Sequence, residues 1–399
     1  MSVVSPSNAA GQPSIPSGPG ASSAGTSPMV EAHPSANNEE PDWFVVYNPN
    51  VEKVLDVKLD HTLKHESIVC CVRFSADGKL LATGCNHTAQ IYDVETGRKV
   101  CVLVHESMGK HEDLYIRSVC FRPDGKYLAT GAEDKQIRIW DIQRKKIRNI
   151  FDGYQQEIYS LDFSADGRLL VCGSGDKTAR IWDMVDGTSK VLTINDPDSL
   201  NNDAGVTSVA IYPNGKFVAA GSLDAVVRMW EVATGMLVER LRGHGDSVYS
   251  VAFTPDGKGL VGASLDKILK YWDVEALMTG GSGSVTQRQK EGASDGAAAG
   301  PNEPGESVVE GALGEEVQQS SRWKMDFVGH KAYAILSVAL SHDGRWVASG
   351  SKDRTVHFWD SKTAVVQAML HAHKNTGNPT TSMLATGSGD CQARIWSYN

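Results

Sequence analysis

The chain has 399 residues, enough for two or three ordinary domains or one large repeat domain. Its 48 acidic side chains outnumber 39 basic ones, for a formal net charge of −9, so the surface repels phosphate backbones and direct DNA binding is not expected. No apolar run approaches the roughly 20 residues that cross a bilayer, so no membrane span is expected.

Seven cysteines, at positions 70, 71, 85, 101, 120, 172 and 391, form no C-x-x-C pair. Buried thiols in a reducing compartment are the plain reading. Residues 1–41 are mostly Ser, Pro, Gly, Ala and Asn. Such a segment cannot bury enough surface to offset its ordering entropy, so a disordered tail is expected there. Residues 1–40 contain no Lys or Arg, so a secretory or organellar leader is not expected there.

Order is expected from residue 42 to residue 399. Trp43 to Tyr47 is a β-rich run, and Val54 to Leu63 alternates apolar and polar residues as a half-buried strand does. Repeats follow. Seven units end on an aromatic: Tyr92, Trp140, Trp182, Trp230, Trp272, Trp359 and Trp396. Six residues before each stands an Asp or Asn: Asn86, Asp134, Asp176, Asp224, Asp266, Asp353 and Asp390. Ten residues before the Asp, five units carry an Asx-Gly pair, as at Asp124-Gly125 and Asp343-Gly344. Asx-Gly supplies the positive φ angles of a tight hairpin. A single small sheet cannot bury both faces, whereas sheets stacked radially can. The expected fold is all-β, a seven-bladed β-propeller.

Nothing that could form a strand follows Trp396, so Val54 to Leu63 is expected to supply the outer strand of blade seven, with Trp43 to Tyr47 beside it. Residues 276–321 interrupt blade five with Gly, Ser, Ala and Glu and are expected to form a disordered acidic insertion before a fourth strand at Arg322 to Phe327. In blade seven, Lys374 to Ser382 reads KNTGNPTTS, with no counterpart of the apolar run Ile335 to Leu340, so this blade is expected to lack its inner strand.

The set His330, Ser349, Asp353 and Trp359 recurs as His111, Thr130, Asp134 and Trp140, and again as His373, Thr386, Asp390 and Trp396. Histidine, serine and aspartate are the residue types of a hydrolase triad. Recurrence, and a serine placed on a buried strand, favour a structural role, so no catalytic site and no enzyme are expected. Blade five has Gly262 where the hydroxyl belongs, blades three and four lack the His, and blade one ends in Tyr92. Those blades are expected to rely on packing. His371-x-His373 and His61-x-x-x-His65 bring no third clustered ligand, so no metal is expected. No phosphate loop or nucleophile elbow occurs, and no cofactor is expected. The run Arg144-Lys145-Lys146-x-Arg148 reads as a solvated loop.

These residues resemble the WD-repeat family. In such a blade two positional rules mark the top rim. The residue after the first apolar position of the inner strand gives Cys70, Arg117, Tyr159, Thr207, Tyr249 and Leu336. The residue before the turn Asp gives Cys85, Glu133, Gly175, Leu223, Leu265, Lys352 and Gly389. From these, the partner-binding candidates are Cys70, Arg117, Glu133, Tyr159, Leu223, Tyr249, Leu265, Leu336 and Lys352. Exposed tyrosine and arginine are typical hot-spot residues.

Within that family, DWFVVYNPNVEKVLDVKLDHTLKHESIVCCVRFSADGKLLATGCN, DLYIRSVCFRPDGKYLATGAEDKQIRIWDI and GSGDCQARIW resemble the C-terminal propeller of the fungal Tup-type general transcriptional corepressor, over about residues 42–399. The resemblance implies a nuclear corepressor adaptor that binds sequence-specific DNA-binding repressor proteins on its top face. It further implies a TPR-containing corepressor subunit and histone tails as partners. The family's N-terminal helical segment, which forms tetramers and binds the TPR partner, has no counterpart here, so a monomer that cannot recruit that subunit is expected. A G-protein β-like scaffold or a ubiquitin-ligase substrate receptor is the alternative; each comes with a coiled coil or helical module that this sequence does not carry.

Overall fold

The computed structural model describes residues 29–33, 42–105, 113–194, 204–278, 321–330, 335–373, 377–380 and 383–399. The strands form seven sheets of four or more strands, one per blade. In blades one to six each sheet runs in chain order from an inner to an outer strand, as Ile158–Phe163, Leu169–Ser174, Thr178–Asp183 and Ser189–Thr193 do in blade three. The Asx-Gly pairs lie in the hairpins between first and second strands, where Gly125, Gly167, Gly215, Gly257 and Gly344 all have positive φ.

The apolar core is divided among seven clusters, one at each seam between neighbouring blades. Two devices recur along the inner walls. A glycine on the second strand makes room for the first residue of the next inner strand: a methyl on Gly131 would lie 2.5 Å from Ile158, on Gly173 2.6 Å from Val206, and on Gly221 2.8 Å from Val248. A serine on the inner strand accepts a hydrogen bond from the next blade. Ser118 Oγ accepts from Leu161 N (3.0 Å), Ser160 from Val209 N (3.0 Å), Ser208 from Val251 N (3.1 Å) and Ser250 from Val338 N (3.2 Å). The blades are thus stapled by side chain to backbone bonds between strands that share no ladder.

Closure takes the expected form at one strand and a different form at another. Val57–Lys64 pairs with Gln392–Tyr398 as the outer strand of blade seven. Trp43–Tyr47 does not lie beside it. It pairs with Val366–His371 and adds to blade six. Met29–His33, inside the expected tail, is a further strand on that edge, giving blade six six strands. An outer strand offers unpaired N–H and C=O groups to any extended segment, so backbone bonding decides this placement rather than side-chain pattern. Trp43 then packs edge-on against Trp396, with ring centroids 5.1 Å apart, at the seam of blades six and seven.

Blade seven also corrects the sequence reading. Gly377–Thr380 forms a short inner strand paired with Leu384–Ser388. Its apolar pattern is absent, but the backbone fills the place. In blade five the fourth strand is Trp323–Val328, as expected, after a short helix at Glu275–Met278. Residues 279–320 of the expected insertion, and residues 1–28 and 34–41 of the expected tail, lie outside the described residues.

Candidate functional site

The repeated histidine set is an internal brace. In blade six, His330 Nδ1 lies 3.1 Å from Asp353 and Nε2 lies 2.8 Å from Ser349 Oγ, which accepts a 2.8 Å bond from Trp359 Nε1. Ser349 is 0% exposed, so its hydroxyl meets no substrate. Burial alone would raise the Asp353 carboxyl, but hydrogen bonds from His330 and Thr355 hold it well below the usual carboxylate range. His357 lies within ligand distance of this pair, the donor atoms all falling within 4.8 Å of one another. Its ring stacks on His330 at 3.7 Å and 14°, however, and an ion cannot lie in two nearly parallel ring planes at once.

Blade seven repeats the brace with His373, Asp390, Thr386 and Trp396. In blade two the sequence assignment shifts. His105 lies 3.0 Å from Thr130 Oγ1, which also accepts from Trp140 Nε1; the expected His111 lies outside the described residues. Blades expected to depend on packing have their own substitutes. In blade one His65 Nε2 meets Thr83 Oγ1 and the Tyr92 hydroxyl. In blade three Trp182 Nε1 donates to the Tyr154 hydroxyl, which contacts the Cys172 thiol. In blade four Arg228 and Asp224 form an ion pair at 2.6 Å, both almost wholly buried.

The inner strands enclose a channel with a cavity of about 530 Å³, lined near its mouth by Tyr159, Thr207, Tyr249 and Leu336. In blades two to six the ladder between first and second strands shifts register after the first residue, and the skipped residues are Arg117, Tyr159, Thr207, Tyr249 and Leu336. Register, rather than side-chain preference, therefore selects the rim residues. Tyr159 is 40% exposed and Tyr249 37%.

Five candidates form one linked group. Arg117 donates to the Glu133 carboxylate, Nε at 3.0 Å with a shorter second contact from Nη2. Burial pushes the Cys70 thiol up, and Arg117 draws it partly back. Burial also pushes the Tyr159 phenol up; Glu157, Glu133 and Tyr249 add to this and Arg117 opposes it. Leu223 and Leu265 are half-buried in the turns of blades four and five, tied together through Ser247, whose Oγ donates to Leu223 O and whose carbonyl accepts from Leu265 N. Lys352 is exposed on blade six, and among the described residues no hydrogen bond or ion pair joins it to the group. Cys85 is not at the rim: it is 1% exposed, because the turn of blade one is one residue shorter. Asn86 takes its place, donating to Asp113 at 2.6 Å and accepting from Leu114 N.

Neither positional rule selects Tyr115, yet its hydroxyl donates to Asp113 and its ring lies under Arg117, 5.4 Å from the guanidinium carbon. The signal in the sequence is the aromatic immediately before the inner strand of blade two. Deeper in the channel, Arg73 of blade one reaches Asp162 of blade three at 2.6 Å. Burial pushes the Asp162 carboxyl up against the pull of Arg73.

The WD domain, G-beta repeat family model matches residues 235–273, 322–360 and 367–397. The NUP159/214 beta propeller model matches residues 44–221. The transcriptional repressor rco-1 of Neurospora crassa is 52% identical over 369 residues, which are 90% of this chain and 55% of that protein. The general transcriptional corepressor TUP1 of Saccharomyces cerevisiae is 37% identical, covering 90% of this chain and 54% of its own length. The transcriptional repressor tup12 of Schizosaccharomyces pombe is 48% identical, covering 84% and 49%. The chain therefore spans about half the length of these relatives. The matches to rco-1, TUP1 and tup12 cover 84–90% of this chain, which is a WD-repeat β-propeller resembling the Tup-type transcriptional corepressors.

Proposed function

We propose that this propeller is a non-catalytic corepressor adaptor, acting in the nucleus, that binds DNA-binding repressor proteins through the rim of its channel. The observation that carries this reading is the linked group Cys70, Arg117, Glu133, Tyr159 and Tyr249, whose two tyrosines line the channel, in a chain whose relatives are named as transcriptional repressors and corepressors. Two half-exposed tyrosine rings offer large apolar area at low entropic cost, and the Arg117–Glu133 pair fixes polar groups on the blade next to Tyr159. Leu336 and the turn leucines extend the apolar ring, and Lys352 ends it with an exposed cation.

The net charge of −9 suits basic partners such as histone tails and disfavours direct contact with DNA. A TPR-containing corepressor subunit is a partner of the wider family reading.

The test is binding of an immobilised peptide from the repression segment of a DNA-binding repressor. Tyr159→Ala and Tyr249→Ala are each expected to weaken binding roughly tenfold or more with little change in melting temperature. Unchanged affinity in both folded variants would overturn the reading.

A further inference from the structure

The seam between blades six and seven departs from the pattern that the inner walls of blades two to six share. Gly377 pairs with Ser388 as Ile335 pairs with Ser351, and Pro379 pairs with Thr386 as Val338 pairs with Ser349. Gly377 therefore holds the register that is Ile116, Ile158, Val206, Val248 and Ile335 in blades two to six. In blades two to five the residue there fills the space over a glycine of the previous blade, Gly84, Gly131, Gly173 or Gly221, and Gly377 has no side chain to do so. Pro379 holds the register whose N–H donates to the serine of the previous blade in blades three to six. Proline has no N–H. Consistent with this, Ser337 Oγ of blade six is buried with no hydrogen-bond partner among the described residues. The register shift that yields a rim residue is also absent from blade seven's inner pairing. Gly377–Thr380 spans four residues where the inner strands of blades two to six span six.

What is missing is a defined set of groups: one apolar side chain, one backbone N–H and one rim residue. Their complement is an extended peptide. We propose that the inner position of blade seven is a docking site for an extended segment of a partner protein. That segment carries Ile or Val at the Gly377 register and Val or Leu with a free N–H at the Pro379 register, and it takes the place of Gly377–Thr380. Its N–H satisfies Ser337, its backbone pairs with Leu384–Ser388, and its extra residue completes the rim. Strand addition of this kind draws affinity from main-chain bonds and specificity from alternate side chains. The site depends on the channel wall alone, so Tyr159→Ala leaves it intact and a failure of the rim reading is separable from a failure here.

The probe is a fluorescent peptide Ala-Ile-Leu-Ser-Val-Ala-Leu-Ser, which copies residues 334–341 of this chain. A second peptide carries Pro in place of its Val. Titrated with the whole chain, the first is expected to bind saturably and the second at least tenfold more weakly. Amide exchange over Leu384–Ser388 is expected to slow in the complex. The variant Gly377→Ile/Pro379→Val supplies the missing groups in cis and is expected to melt higher and lose the peptide. Should that variant not fold, Ser337→Ala is expected to weaken peptide binding several-fold at unchanged melting temperature. No saturable binding, equal binding of both peptides, or full binding to the filled variant would overturn the proposal. A concentration-dependent dimer that excludes the peptide would assign the site to a second copy of the chain and overturn the partner reading.

Discussion

Blades five and six carry the same histidine, aspartate and tryptophan and differ at one hydroxyl. In blade six Ser349 joins His330 to Trp359 at 2.8 Å on each side. Blade five has Gly262 there, and His244 Nε2 and Trp272 Nε1 are buried with no hydrogen-bond partner among the described residues. Yet the His244–Asp266 contact persists at 2.7 Å, and Trp272 and Trp359 are both 0% exposed. The tryptophan holds its place by packing, and the hydroxyl serves to satisfy two polar atoms. A second difference lies two residues before the tryptophan. Blade five has Lys270, paired with Asp326 at 2.9 Å, where blade six has the neutral, stacked His357.

The comparison makes its largest prediction at the tryptophans. Trp272→Ala and Trp359→Ala are expected to cost about 3–5 kcal/mol each, nearly equally, in urea unfolding. A much smaller cost in blade five would show that the brace, not packing, holds the ring. Ser349→Gly converts blade six to the state of blade five and strands His330 and Trp359; the expected loss is about 1–3 kcal/mol, by the same measurement.

Acid distinguishes the two blades next. Burial, with the charge of His330 adding, pushes His357 down to about 3. The unfolded chain takes up this proton below about pH 6.5, whereas the folded chain does not until pH nears the depressed value. The contribution of His357 is therefore complete above pH 6.5 and lost as pH falls, by about 2 kcal/mol at pH 5. His65, pushed down to about 4, and His105, pushed down to about 3, act with the same sign. His357→Leu is expected to flatten the fall in stability between pH 6.5 and 5, with no matching change for a Lys270 variant. An unaltered slope would count against it. The smallest effect belongs to Gly262→Ser. A Cβ there would lie 2.7 Å from the Trp272 ring, so overpacking opposes the gain from satisfying two orphaned atoms. The net change in the urea midpoint is expected to stay within about 1 kcal/mol.

The sequence spacing announced the ring because every blade needs the same hairpin, turn and wedge. The aromatic at Trp359 and the turn at Asp353 are fixed by geometry that repeats, and the structure keeps both. The misread positions are those where several residue types meet one physical need. Tyr154 and Cys172 replace a histidine and a hydroxyl in blade three, and His105 reaches Thr130 from a place in the chain that the spacing of blade six does not indicate. Trp43–Tyr47 looks like any β strand, and its attachment to blade six is set by which edge stands open. The inner-strand positions Arg117, Tyr159, Thr207, Tyr249 and Leu336 could be picked out because each follows the first apolar residue of its strand, which is where the ladder shifts in blades two to six. Cys85 could not, because a turn shorter by one residue moves it from the surface to the interior.

The placement of the N-terminal strands has a mechanical consequence. Val57–Lys64 completes blade seven, while Trp43–Tyr47 and Met29–His33 are held in turn on the edge of blade six. Met29 pairs with Tyr47 and His33 with Trp43, so tension applied through residue 29 opens that pair one bond at a time from its free end. It must then peel Phe44 to Tyr47 from Ala368 to His371, and draw Trp43 off Trp396, before any load reaches the strand that closes the ring. Blade six thus works as a strain relief, and a tethered propeller yields at its border while the circle stays shut.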